Sequence, residues 1–232
     1  HDIGFPVVVK PTDGSLSKHT VCNITTEAAL TKAIQIAQIV NPVFIVEEFI
    51  NGHDYRITVV DGTIVAACRR EPPNVIGDGS HSIQALIEIK NHDPLRGTIE
   101  QRNSTLHRLV ISPKAVALLA ELKLTLHSVL PRGQKVYLQS KVILAAGADI
   151  HDVTDDVHPD NRALFEQVAK LCQAPLIGID VIAQDLTTTY REQNCAILEV
   201  NSLPYIDMHH YPVTGHPRNV AGAILDLALS EK

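Results

Sequence analysis

The chain alternates short β-branched runs with polar breaks and with stretches whose apolar residues recur every three or four positions, the two periods that separate strands from helices. IGFPVVVKP, at residues 3–11, reads as a buried strand that ends at Lys10. A polar loop leads to a second strand at 20–24 and to a helix capped by Thr25 or Thr26, with Leu30, Ala33, Ile34 and Ala37 on one stripe. Residues 43–46 form an apolar strand that runs into Glu47 and Glu48 and is closed by a turn at Asn51 and Gly52. Strands at 56–60 and 63–69 flank Asp61-Gly62, a dipeptide suited to a tight type I′ hairpin.

Beyond the hairpin, Gly77-Asp78-Gly79 breaks the chain and Ser82 opens a helix through Ile83, Leu86 and Ile87. Residues 92–107 are polar and show no period. Ser112-Pro113 starts a helix to about Lys123, and 136–144 reads as a strand. Pro159 suits a first helical turn, and Leu164, Val168 and Leu171 supply the apolar stripe of a helix reaching Cys172. Core strands at 176–182 and 195–200 and a helix over 218–229 complete the pattern. With no repeat or low-complexity linker, it predicts an α+β fold of two lobes sharing a cleft.

Composition narrows the class. With 45% hydrophobic and 20% charged residues the chain is globular rather than disordered or fibrous, and its apolar runs are too short to span a membrane. The net charge of −6 comes from dispersed acids without a Lys/Arg stripe, which argues against nucleic acid as a partner. Cys22, Cys68, Cys172 and Cys195 form no C-x-x-C pair and read as buried thiols in a reducing compartment, so a cytoplasmic location is expected. Only His209 and His210 adjoin among twelve histidines, which disfavours a histidine metal site. The chain starts at His1 with no signal-peptide pattern, as a fragment would.

Chemistry concentrates near the C-terminus. Asp180 lies inside an apolar strand, and Glu199 and Asn201 flank Val200 at the end of another, where alternation puts both on one face. Two carboxylates and an amide oxygen form the hard donor set that Mg²⁺ takes when phosphates complete its shell. The plain alternative is that both acids are strand-end residues near solvent.

I-D-V from Ile179 and E-V-N from Glu199 resemble the two metal-holding strands of the ATP-grasp superfamily. VVVKP, VEEFINGHDYRITVVDG, CRREPPNVIGDG, DVTDDVHPDN and ILEVNSLP occur in order and resemble the ATP-grasp domain of cyanophycin synthetases, a branch in which poly-aspartate is extended. The resemblance implies an ATP-grasp fold of two α+β lobes with the nucleotide cleft between them, its N-terminal part truncated. The small nucleotide-binding lobe would take residues 1–52 and the large lobe, with metal and substrate sites, 53–232. It implies ATP and Mg²⁺ as cofactors, with metal on Asp180, Glu199 and Asn201. Lys10 would reach the phosphates, Glu47, Glu48 and Phe49 would form the adenine hinge, Asp54 would meet the ribose, and Leu198 would pack beneath the base. Arg56, Arg69 and Arg70 would contact an acyl phosphate or a substrate carboxylate.

Two segments depart from the family pattern. The phosphate loop, usually glycine-rich and ending near G-R-G-V, here reads DGSLSKHTV, and side chains at Lys18, His19 and Thr20 make positive φ costly by about 1–2 kcal/mol each. The segment typically L-R-x-x-A-N-L-S-T-G-G reads LQSKVILAAGAD over 138–149, with Gln139, Ile143, Ala145, Ala146 and Ala148 in place of family residues. Tyr205 stands where glycine is usual. The expected function is an ATP-dependent carboxylate–amine ligase that forms an amide through an acyl phosphate on an amino acid or peptide, within a larger polypeptide or a homo-oligomer. The alternatives are a diverged ATP-grasp module that binds MgATP with little or no ligase activity, and a structural α+β domain without ligand.

Overall fold

The computed structural model describes residues 3–13, 19–98, 100–101 and 106–230, so Gly14–Lys18 of the phosphate loop lie outside the described residues. The chain is α+β and divides into two compact units between Asn51 and Gly52.

In the first unit β1 (Val7–Pro11), β2 (Val21–Ile24) and β3 (Phe44–Glu48) form an antiparallel sheet in the order β2-β1-β3. Val7, Val9 and Ile24 pack against Ala33 and Ala37 of α1 (Glu27–Gln38). Thr26 caps α1 by accepting the Ala29 amide. His19, just after the undescribed loop residues, stands at φ +61, in the region costly for a side-chain-bearing residue.

The second unit continues with β4 (His53–Val60), β5 (Thr63–Glu71), β6 (Asn74–Ile76), α2 (Ile83–Asn91), β7 (Arg96–Gly97), β8 (Leu106–His107), α3 (Pro113–Glu121), β9 (Lys135–Tyr137) and β10 (Asp149–Asp152). It closes with α4 (Pro159–Cys172), β11 (Leu176–Ala183), β12 (Cys195–Asn201), α5 (Asp207–His210) and α6 (Val220–Ser230). An antiparallel five-stranded sheet runs β10-β5-β4-β11-β12. Asp61 and Gly62 both take positive φ, +47° and +72°, as the type I′ turn requires.

Register gives this sheet two faces. Tyr55, Ile57, Ile179 and Val181 point to one, where they pack on Phe165 and Ala169 of α4. Arg56, Thr58, Cys68, Arg70 and Asp180 point to the other, where Met208 joins Cys68 and Ile150 in a small core. A second large core lies beside the sheet, where α2 and α3 bury Ile83, Leu86, Ala115 and Leu119 against Val75 of β6 and Val136 of β9. No helix among the described residues is long and apolar enough to cross a membrane.

Several expectations fail for physical reasons. The strand expected at 136–144 is β9 alone, because its partner among the described residues, β6, is three residues long; Leu144–Ala146 form a 3₁₀ turn instead. β10, four residues with acids at both ends, carries no apolar run and escaped the reading. Leu171 is 76% exposed, since the buried stripe of α4 runs through Asn161, Phe165 and Ala169, with Leu164 and Val168 on its flank. Asn161 earns its burial by bonding Leu186 O, Thr188 O and the Tyr190 amide. Of the thiols only Cys68 is buried; Cys22 and Cys172 are exposed.

Candidate active site

Pairing of β11 with β12 sets Asp180 opposite Glu199 and Gly178 opposite Asn201, so the three residues named from the sequence converge on one end of the sheet. The register shifts immediately after the first pair, which makes Leu198 the extra residue of β12 and leaves it 46% exposed. Asn201 directs Nδ2 to Glu199 Oε1 at 3.1 Å and to Asp180 Oδ2 at 3.4 Å. Half a turn of that amide would put its oxygen in the same place, completing a three-oxygen set for a hard cation. The donors therefore fit Mg²⁺.

Asp180 is buried and held by two guanidinium groups. Arg56 donates Nε to Oδ1 at 2.6 Å and Nη2 to Oδ2 at 3.1 Å, and Arg70 donates Nη2 to Oδ1 at 2.9 Å. Arg70 also bonds Asp54 through Nε at 2.7 Å. Burial raises the Asp180 pKa, but the Arg56 bonds and the charges of both arginines outweigh it and hold the group below its ordinary value. At Asp54 burial prevails over Arg70 and pushes the carboxyl up. Arg56 keeps one buried nitrogen, Nη1, without a partner among the described residues. Gly178 makes room for it, since a Cβ there would lie 3.0 Å from Nη1 and 2.7 Å from Pro204 Cβ.

The groups behind this network offer no nucleophile. Burial pushes the Cys68 thiol up to about 12, so it stays protonated at neutral pH. Burial and the Arg56 charge lower His209 to about 3, so its ring stays neutral and shares a 2.8 Å hydrogen bond with Thr58.

The structure separates the three arginines. Arg69 pairs in register with Tyr55 and His151 and points to the α4 side, opposite Arg56 and Arg70. In the first unit Lys10 forms an ion pair with Glu47 at 2.8 Å, Glu48 is exposed, and Phe49 donates its amide to Pro6 O at 3.0 Å. In the altered segment Gly147, at φ +96, is needed because a Cβ would lie 2.8 Å from the Leu109 backbone.

Sequence reading missed a second polar cluster on the α4 side. Glu71 accepts from Lys135 at 2.7 Å, Tyr137 at 2.9 Å and His151 at 3.2 Å. Asp149, opposite Glu71 in register, accepts from Asn74 at 2.9 Å, Lys90 at 2.5 Å and Arg96. The bond from His151, with those from Lys135 and Tyr137, holds Glu71 far below the ordinary carboxylate range against burial. Glu71, Asp149 and His151 are close enough to share a metal, but Lys90, Arg96 and Lys135 already supply the positive charge. Alternation of acid and histidine in β10 was the available signal.

No family model matches the chain. It is 37% identical over 226 residues to cyanophycin synthetase of Crocosphaera subtropica and 38% identical over 226 residues to that of Synechocystis, covering 97% of this chain and 26% of each relative. It is 33% identical over 196 residues to the glutathione biosynthesis bifunctional protein GshAB of Clostridium perfringens, covering 84% of this chain and 25% of that protein. The crystal structure of a bifunctional glutathione synthetase from Pasteurella multocida superposes with a TM-score of 0.74 at 27% identity, over 97% of this chain and 31% of that one. The chain thus spans about a quarter of the length of the relatives it matches in sequence.

Proposed function

Since the chain belongs to the ATP-grasp superfamily and aligns with one segment of cyanophycin synthetases, we propose that it is the carboxylate–amine ligase segment of a larger polypeptide or homo-oligomer. The observation that carries this reading is the meeting of Asp180, Glu199 and Asn201 beside Arg56 and Arg70. In this reading a carboxylate oxygen of an amino acid or peptide attacks the γ-phosphorus of ATP and ADP leaves. The amine of the second substrate then attacks the acyl carbon, phosphate leaves, and the nitrogen loses a proton. Mg²⁺, held by Asp180, Glu199 and Asn201, would offset charge on the transferring phosphoryl group.

The remaining residues bind and orient. Lys10 would contact phosphate, Glu47, Glu48 and Phe49 the adenine, Asp54 the ribose, and Leu198 the face of the base. Arg56 and Arg70 keep Asp180 ionised and aimed, and Arg56 Nη1 is the donor left for a substrate oxyanion, whose arrival would relieve a buried unpaired N–H. The cyanophycin synthetases and the bifunctional glutathione synthetase named above are synthetases, which favours chemistry over a module that only binds nucleotide.

The test is ADP formation by the complete protein with Mg²⁺, ATP and combinations of amino acids and peptide acceptors. Amino-acid-stimulated ADP release is expected, falling by roughly 10²–10³ in Arg56→Lys, which keeps the charge but loses the fork. Absence of stimulated release across all combinations, with MgATP still bound, would leave only the nucleotide-binding part of the proposal standing.

A further inference from the structure

The α4 side of the sheet bears a pocket of about 250 Å³ that includes Arg69, which the resemblance assigned to an anion but which points away from Arg56 and Arg70. Tyr55, Arg69 and His151 stand in one cross-strand row on β4, β5 and β10. His53 precedes the row, and Gln184 and Asp185 follow the end of β11.

Two lining groups carry unspent charge. Among the described residues no ion pair or side-chain hydrogen bond engages the half-buried guanidinium of Arg69. Asp185 accepts the Thr187 amide at 2.9 Å with one oxygen and pairs with no cation among the described residues. Both charges act on the same two rings. Burial and Arg69 lower His53 while Glu71 and then Asp185 raise it; burial and Asp185 raise Tyr55 while Arg69 lowers it. Opposite charges therefore border one small cavity without neutralising each other. A guanidinium fork at such a site matches a planar carboxylate, and a free carboxylate oxygen matches an ammonium group. The volume lies below the range typical of drug-sized ligands and suits a small polar one.

We propose that this pocket binds the zwitterionic head of a free α-amino acid, with Arg69 on its carboxylate and Asp185 on its ammonium group. The site is separate from the metal-binding face, since Arg69 and Arg70 project to opposite sides of β5. It does not rest on the ligase reading and is tested without nucleotide.

Titration calorimetry of the complete protein with glycine, L-aspartate and L-arginine, each to about 10 mM, is expected to show binding of at least one. That affinity falls about tenfold or more in Arg69→Gln and in Asp185→Asn, and changes less than about threefold in Glu199→Ala. Acetate and methylamine, which carry one charge each, bind more weakly than the amino acid. Should Arg69→Gln lower the melting temperature, the exposed Asp185→Asn carries the test alone. The proposal is overturned if none of the three amino acids binds or if Asp185→Asn leaves affinity intact. It is also overturned if acetate matches the amino acid, which would mark a plain anion site, or if Glu199→Ala abolishes binding, which would place the ligand at the triad.

Discussion

The two faces of the five-stranded sheet both bury carboxylates against arginines, yet they leave them in different states. On the α4 side Glu71 and Asp149 are buried, and each accepts three hydrogen bonds from the protein. On the other side Asp180 accepts four, from Arg56, Arg70 and Asn201, but Glu199 is exposed, and Arg56 holds a nitrogen without a partner among the described residues. Buried ion pairs alone do not mark a functional site. A densely bonded network ties Lys90 of α2 and Lys135 of β9 to the sheet, whereas residual bonding capacity, at Arg56 on one face and at Arg69 and Asp185 on the other, marks the places that can take a ligand.

The largest effect that would break this comparison is in the densely bonded network. Asp149→Ala strands Lys90 and Arg96, the latter with a side chain only 1% exposed, and should cost about 3–5 kcal/mol. Thermal unfolding is expected to shift down by on the order of 10 °C. A shift near zero would mean that the network is dispensable and the contrast false. Next in size, Gly178→Ala forces a Cβ against Pro204 and Arg56 Nη1, for about 1–3 kcal/mol by urea unfolding. Midpoints matching the parent would show that Pro204 can yield.

Smaller still, Glu199→Ala should leave stability within about 0.5 kcal/mol, since the residue is exposed, yet weaken Mg²⁺-dependent ATP binding about tenfold. Calorimetry with an unhydrolysable ATP analogue reads this, and unchanged affinity would remove Glu199 from the metal set. The smallest effect is in the pH slope of stability, where Glu71 and Asp54, on opposite faces, carry opposite signs. Glu71 titrates lower folded than unfolded, so its contribution is present above an unfolded pKa of about 4.3 and is lost as pH falls through the folded value. Asp54 titrates higher folded, so its contribution is present below about 3.9 and is lost as pH rises through its folded pKa. In acid urea titrations Glu71→Gln should flatten the rise of stability with pH, and Asp54→Asn should steepen it. Slopes moving together would contradict the assignment.

What the sequence made legible was local. The hairpin rests on two adjacent residues, the caps on Thr26, Ser82 and Ser112, and the convergence of Glu199 with Asn201 on period-two alternation. What it hid depends on register between distant strands. Arg69 and Arg70 look alike in sequence, and only pairing with β4 and β10 sends them to different faces. The densely bonded network joins residues 71, 90, 96, 135 and 149, and no window along the chain holds them together. The strand expected at 136–144 failed because a strand needs a partner of its own length, which apolar residues alone do not disclose.

The β4–β5 hairpin bears on how this protein can tolerate changes in length. Val60 faces Thr63 across the turn and Val59 faces Ile64, but Thr58 faces Ala66, so Val65 is an extra residue inserted between turn and site. Removing Val65 would straighten the ladder while leaving Asp54 opposite Arg70. Removing a residue from the far side of the site, between Cys68 and Arg70, would instead exchange the faces of the residues beyond it. A one-residue deletion is therefore nearly silent at one point of β5 and disabling a few positions later, although neither changes a side chain that contacts Asp180 directly.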